Sequence, residues 1–263
     1  MLPFKKILFP VDFSEQARGA ARYVEALAGR FNAALTLLNA SDPQYNDLLL
    51  DNPARRRERL ETFPGKDFEY LKVERVLTAG DPASSIVSLA NTGHFDLIML
   101  PTHGLGGFRR FLLGSVTAKV LHDADCPVWT GVHLEQAPPL EKIVFRKFLC
   151  AVNLDPHSKS VVDFAVELAD EYRATLTVVH IVPLMDDAES IKWQIGEWLG
   201  ISAGRTTIRI ERGEIASTVA VVAAETEADL LVIGRNPAPG AFGRLRTDGY
   251  SIIRKSPCPV ISI

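Results

Sequence analysis

The chain is written twice. Three stretches of its first half return in its second: GDPASSIVSLA (80–90) as GEIASTVAVVA (213–223), FDLIMLPTHG (95–104) as ADLLVIGRNP (228–237), and CPVWTGV (126–132) as CPVISI (258–263). The offsets are 133, 133 and 132 residues, a period the size of a domain and not of a solenoid unit. Near each start, ILFPVDFS matches FLCAVNLDPHS, a pairing that sets Asp12 against Asp155 at an offset of 143. The first half is then longer between its first strand and its middle, and the excess falls in DPQYNDLLLDNPARRRERLETFPGKD (42–67). Two domains are expected, 1–135 and 136–263, with the proline-bearing HLEQAPPLE (133–141) as linker.

Each copy alternates strand and helix. KKILFPV is a short apolar run ending in a polar turn, as expected of a strand covered on both faces. After it, Ala17, Ala20, Ala21, Val24, Leu27 and Ala28 recur at helical spacing, with Ser14 or Asp12 available as cap. AALTLLNA, KVERVLT, FDLIMLP and CPVWTGV read as further strands, the alternating KVERVLT nearer an edge. PASSIVSLANTG and SVTAKVLHDA read as helices, the first with proline in its opening turn and glycine at its end. This order predicts an α/β fold, two tandem copies of a doubly wound, mainly parallel sheet. Ligands of such sheets sit beyond the carboxyl ends of the strands where the strand order reverses. Pro10–Asp12 and Pro101–Gly104 both fall at such ends.

Composition narrows the function classes. The 263 residues carry a formal net charge of −3, so no global field recommends nucleic acid or an anionic membrane as partner. The basic run ARRRER (54–59) reads as a solvated helix face or loop before it reads as a binding patch. Cys126, Cys150 and Cys258 form no CxxC pair, which fits buried thiols in a reducing compartment and neither a disulfide framework nor a zinc site. Pro10 and Asp12 interrupt the N-terminal apolar run well below membrane-span length, and the simplest location is cytoplasmic.

The stretch PTHGLGGFRRFLLGSVTAKV (101–120) has the form of an anion site. Backbone amides at a glycine turn and helix N-terminus point at an anion, and the helix dipole favours it. Gly104 would form the near wall; Gly114, Ser115 and Val116 would supply amides, Ser115 also a hydroxyl, and Arg109 and Arg110 would neutralise charge. Glycine would serve by admitting close approach or a positive φ. On spacing alone a plain strand-to-helix turn is the other reading. The loop is neither a Walker P-loop nor GxGxxG.

KKILFPVDFSEQA, FDLIMLPTHGLGGFRRFLLGSVTAKVLHDADCPVWTG and SIIRKSPCPVISI together resemble the universal stress protein family, over both halves. The resemblance implies two five-stranded sheets of adenine nucleotide alpha-hydrolase type, packed as an intramolecular pseudo-dimer. It implies a loop of form G-x2-G-x9-G-[ST], of which Gly104, Gly114 and Ser115 match the last part and Pro101 replaces the first glycine. It further implies ATP or a related adenine nucleotide, with Mg as companion. Pro10, Val11, Asp12 and Ala40 would face base and ribose, and His103 would lie near phosphate or in solvent. Asp12 is equally an N-cap candidate. The second copy has Pro237 for Gly104 and Arg246-Thr247 for Gly114-Ser115, so it reads as a structural partner before it reads as an Arg-lined pocket for a smaller anion. By the same resemblance, strands 127–132 and 259–263 would pair within the chain, and a further homodimer could form. No general base or paired carboxylates accompany the loop, so binding outranks slow hydrolysis. A scaffold protein without nucleotide is the third reading, kept open by Pro101.

Overall fold

The computed structural model describes residues 4–41, 52–65, 68–102, 113–131, 134, 137–182, 188–235 and 247–263. The chain divides into two compact units, Pro3–Ile143 and, from Val144, Val144–Ile263.

In the first unit the order is β1 (Lys6–Pro10), α1 (Glu15–Phe31), β2 (Ala34–Ser41), α2 (Pro53–Thr62), β3 (Val73–Ala79), α3 (Pro82–Thr92), β4 (Leu97–Pro101), α4 (Ser115–Asp123) and β5 (Val128–Gly131). The strands form a parallel sheet in the order β3-β2-β1-β4-β5. The second unit repeats it with β6 (Lys147–Val152), α5 (Ser158–Tyr172), β7 (Thr175–Val182), α6 (Ala188–Leu199), β8 (Thr206–Arg212), α7 (Ile215–Glu225), β9 (Leu230–Ile233), α8 (Thr247–Lys255) and β10 (Val260–Ser262). Its order is β8-β7-β6-β9-β10, again parallel. Right-handed crossovers make winding reverse between β1 and β4, and between β6 and β9, which puts helices on both faces and the crevice at those strand ends.

The neighbouring strands β1 and β4 lie in the core. Ile7, Leu8 and Phe9 of β1 and Leu97, Ile98 and Met99 of β4 are fully buried, so successive side chains are covered on both faces. Each such side chain contributes about 1.5–3 kcal/mol by leaving water. KVERVLT, the alternating segment, is the edge strand β3.

The repeat is finer than its sequence anchors. Asp96 Oδ2 accepts the amides of Lys5 and Lys6, both at 2.8 Å; Asp229 Oδ2 accepts those of Arg146 and Lys147 at 2.7 and 2.9 Å. Phe4 meets Phe31 edge-on at 5.1 Å and Phe145 meets Tyr172 at 5.2 Å. Phe13 and Leu154 both hold φ near +62° (63 and 62). These matches share an offset of 141 residues for β1, α1 and β2, which corrects the pairing of Asp12 with Asp155: the counterpart of Asp12 is Asn153. DPHS offers an aspartate two residues further on, but the left-handed residue beyond each strand fixes the register. The extra length does lie between β2 and β3, where the offset falls to 133.

The proline-bearing segment is docked on the first unit. A Cβ on Gly19 of α1 would come within 1.7 Å of the Leu134 carbonyl oxygen, and Arg22 donates to the carbonyls of Ala137 and Pro138. Gly19 is therefore a contact glycine, whose cost in helix propensity is offset by backbone approach. Gly19→Ala is expected to lower the melting temperature, by an overpacking cost of about 1–3 kcal/mol, although alanine is the better helix former. A thermal melt showing equal or greater stability would contradict the docking.

Candidate functional site

The site begins at the carboxyl end of β1. Pro10 ends the strand half-buried, and Val11 is buried, its amide donating to Leu38 O at 2.8 Å. Asp12 is half-buried and accepts at Oδ1 from the Ser14 amide (3.0 Å) and hydroxyl (2.6 Å). Ser14 is the N-cap of α1, accepting from Ala17 N. The cap is thus Ser14, and Asp12 braces it. Between them the bulky Phe13 sits in the left-handed region, a strained placement of the kind found at ligand sites.

Ala40, half-buried near the end of β2, follows Asn39, whose side chain was not legible as part of the site. Asn39 Nδ2 donates to Val11 O at 2.7 Å, and its Oδ1 accepts from Arg56 Nε at 2.8 Å. Arg56 also donates to Thr78 O at 3.1 Å. Within ARRRER, then, Arg55, Arg57 and Arg59 are exposed as expected, while Arg56 is buried and ties α2 to the ends of β2 and β3. Arg59 lies over the Phe13 ring at 4.3 Å. The signal for Asn39 was its place one residue before a strand-end alanine; its counterpart His180 likewise bonds Val152 O at 2.8 Å.

Register carries Val11–Asp12 to the level of Pro101–Thr102, since Leu8 faces Ile98. Pro101 is the buried last residue of β4, and its carbonyl accepts the Thr117 hydroxyl at 2.9 Å. That bond fastens the start of α4 to the strand end. His103, Gly104, Arg109 and Arg110 lie outside the described residues. Gly114, half-buried, is the N-cap of α4, Ser115 its exposed first residue, and Val116 half-buried.

Two details revise the reading of Gly114. Its φ is −62°, open to any residue, so positive φ is not the reason for glycine there. Its N–H donates to Thr102 O at 2.7 Å, so that amide is committed to the protein. The first intrahelical bond of α4 is Ala118 N to Gly114 O, at 2.8 Å. The amides of Ser115, Val116 and Thr117 precede it and point out of the helix end. Gly114 has no side chain to bond them, unlike Ser14, Asn52 and Asp81 at the starts of α1, α2 and α3.

A clamp holds α4 in place. Asp81, the N-cap of α3, accepts from Ser84 N and from Lys119 of α4, whose Nζ also donates to Ser84 Oγ. The second copy builds the same triad from Glu214, Ser217 and Lys255. Lys119 is the fifth residue of α4 and Lys255 the ninth of α8, one helical turn apart on the same face. Hydrogen bonds from Ser84, then from Lys119, draw the Asp81 carboxyl down to about 2; Ser217 and Lys255 do the same for Glu214, also to about 2.

In the second copy a cavity of about 260 Å³ lies at the corresponding strand ends, lined by Val152, Asn153, Ile181, Arg235, Asp248 and Ile252 among others. Pro237 and Arg246 lie outside the described residues. Cys150 and Cys258 are buried, their thiols pushed up by burial to about 12 and about 11, and unreactive for that reason. Among the described residues no cluster of three metal-ligating side chains occurs, and no helix is long and apolar enough to cross a membrane.

The universal stress protein family model matches residues 3–130 and 145–195, and the chain belongs to that family. It is 34% identical over 132 residues to a universal stress protein of Thermus aquaticus, covering 48% of this chain and 96% of that one. A universal stress protein of Methanocaldococcus jannaschii is 30% identical over 139 residues, covering 48% of this chain and 80% of that one. The crystal structure of a universal stress protein from Archaeoglobus fulgidus shares the fold, with a TM-score of 0.78 at 20% identity over 98% of this chain and 95% of that one.

The clamp acids should show in acid. Both carboxyls titrate lower folded than unfolded, so their stabilisation is complete above about pH 4–5 and is lost as pH falls through about 2. An Asp81→Asn, Glu214→Gln protein is expected to lose less melting temperature than wild type between about pH 5 and pH 2. Parallel pH profiles of the two proteins would refute the clamp.

Proposed function

We propose that the first copy binds ATP or a related adenine nucleotide, with Mg accompanying it, and that the protein acts as a regulatory module through its bound state. The observation that carries the reading is the start of α4: three leading amides without a side-chain cap, fixed beyond the β4 end by the Thr117–Pro101 bond. Such a helix end suits phosphate oxygens, with glycine at position 114 keeping side-chain bulk away from them. Val11 and Ala40 offer an apolar slot, and Asp12 an acceptor for a ribose hydroxyl or adenine amine. Pro101 supports this geometry, because it needs only its carbonyl to hold Thr117. Family membership supports the nucleotide class. His103, Gly104, Arg109 and Arg110 complete the proposed loop by sequence. The second copy contributes no nucleotide site, since Arg246 stands for Gly114.

Calorimetric titration of ligand-stripped protein with ATP and ADP is expected to give one site per chain. Absence of binding would remove the nucleotide reading; two sites would remove the silence of the second copy. Gly114→Arg is expected to fold normally, because φ of −62° admits arginine, and to weaken ATP binding by about a hundredfold or more.

We also propose that strands 127–132 and 259–263 pair within the chain, covering two apolar closing strands. Hydrogen exchange at β5 and β10, on protein shown to be monomeric by light scattering, should then be slow and independent of concentration. Fast exchange there in the monomer would exclude the pairing.

A further inference from the structure

The second copy keeps a cavity although its phosphate loop has lost the matching glycine. At about 260 Å³ it is smaller than the roughly 300 Å³ at which pockets for drug-sized ligands begin. Its walls are branched aliphatics from separate elements: Val179 and Ile181, which share one face of β7, Val219 of α7 and Ile252 of α8. Ile181 occupies the place of Ala40, which narrows the slot that a flat base would need.

Among the polar groups of the lining are the acceptors Asn153, Asp155 and Asp248, beside Arg235, His157 and Ser158. Asn153 Oδ1 accepts the Ser158 hydroxyl at 2.9 Å, and Asp155 Oδ1 accepts the His157 amide at 2.8 Å. Burial pulls the Asp155 carboxyl up, but hydrogen bonds from Asn153, His157 and Ser158 outweigh it and hold it ionised below the usual range. Asp248 stands in the first turn of α8, whereas α4 carries no acid in its first turn. A carboxylate there occupies the positive end of the helix dipole that phosphate would use. Among the described residues, the lining sets the Arg235 guanidinium and the His157 imidazole beside these two carboxylates.

We propose that this cavity is a ligand site in its own right, taking a compact molecule with an apolar body and a hydrogen-bond-donating, non-anionic head, and turning nucleoside phosphates away. The aliphatic walls hold the body, while Asn153, Asp155 and Asp248 receive the head. The assignment stands whether or not the first copy binds nucleotide.

The test uses the full chain with isotope-labelled valine and isoleucine methyls, titrated with cyclohexylmethylamine, cyclohexanecarboxylate and ATP. The amine is expected to shift Val179, Ile181 and Ile252 saturably, and the carboxylate to bind those methyls about tenfold more weakly. ATP should leave them unmoved, whatever it does to methyls of the first copy. Asp248→Asn, an isosteric change at an exposed position, should narrow the amine's advantage. The proposal is overturned if the amine gives no saturable shift, if the carboxylate or ATP binds there as tightly, or if Asp248→Asn leaves the preference at full size.

Discussion

Burial of β1 and β4 on both faces is the constraint from which the rest follows. A strand whose every side chain faces the interior has only its ends left for polar chemistry. At the amino ends the chain closes itself: Asp96 and Asp229 each take two amides of the neighbouring strand's entry, fixing how β1 meets β4 and β6 meets β9. At the carboxyl ends that closure is incomplete by design of the fold, because the winding reverses there and opens a crevice. Asp12 and Asn153, Asn39 and His180, Thr102 and Arg235 all stand at or near that end.

The same frame therefore carries two different mouths. In the first copy the helix at the crevice starts with Gly114, Ser115 and Val116, uncapped and without an acid in its first turn. In the second it carries Asp248, and Ile181 replaces the small Ala40. Asp248 is exposed and Ile181, though buried, stands at a strand end, so each copy keeps its strand order while the side chains at that end differ. Substitution is tolerated more readily at such positions than at Ile7 or Leu97, where a lost methylene leaves a cavity.

Much of the fold was legible because burial has a period. Continuous apolar runs marked the inner strands, alternation marked the edge strand β3, and proline and glycine bounded α3. The repeat itself was legible from three apolar anchors. The alignment of Asp12 failed because short polar turns carry little pattern: DPHS offered an aspartate two residues from the true counterpart, and only the left-handed Phe13 and Leu154 identify the register. Asn39 and Arg56 were missed for a related reason. Their role is to bond main-chain carbonyls of other strands, and nothing in local sequence announces a partner that lies across the sheet.

The sequence by itself determined the two-copy architecture, the parallel α/β class, the family and the residues gathered at the strand ends, since these depend on periodicity and on motifs local in the chain. Tertiary structure decided how those residues are used. It spent the Gly114 amide on Thr102, gave the α1 cap to Ser14 with Asp12 as its brace, buried Arg56 out of an otherwise solvated run, and pressed the supposed linker onto Gly19. Each of these is a hydrogen bond or close approach between segments far apart in sequence, and such partners exist only once the sheet has brought the strand ends together.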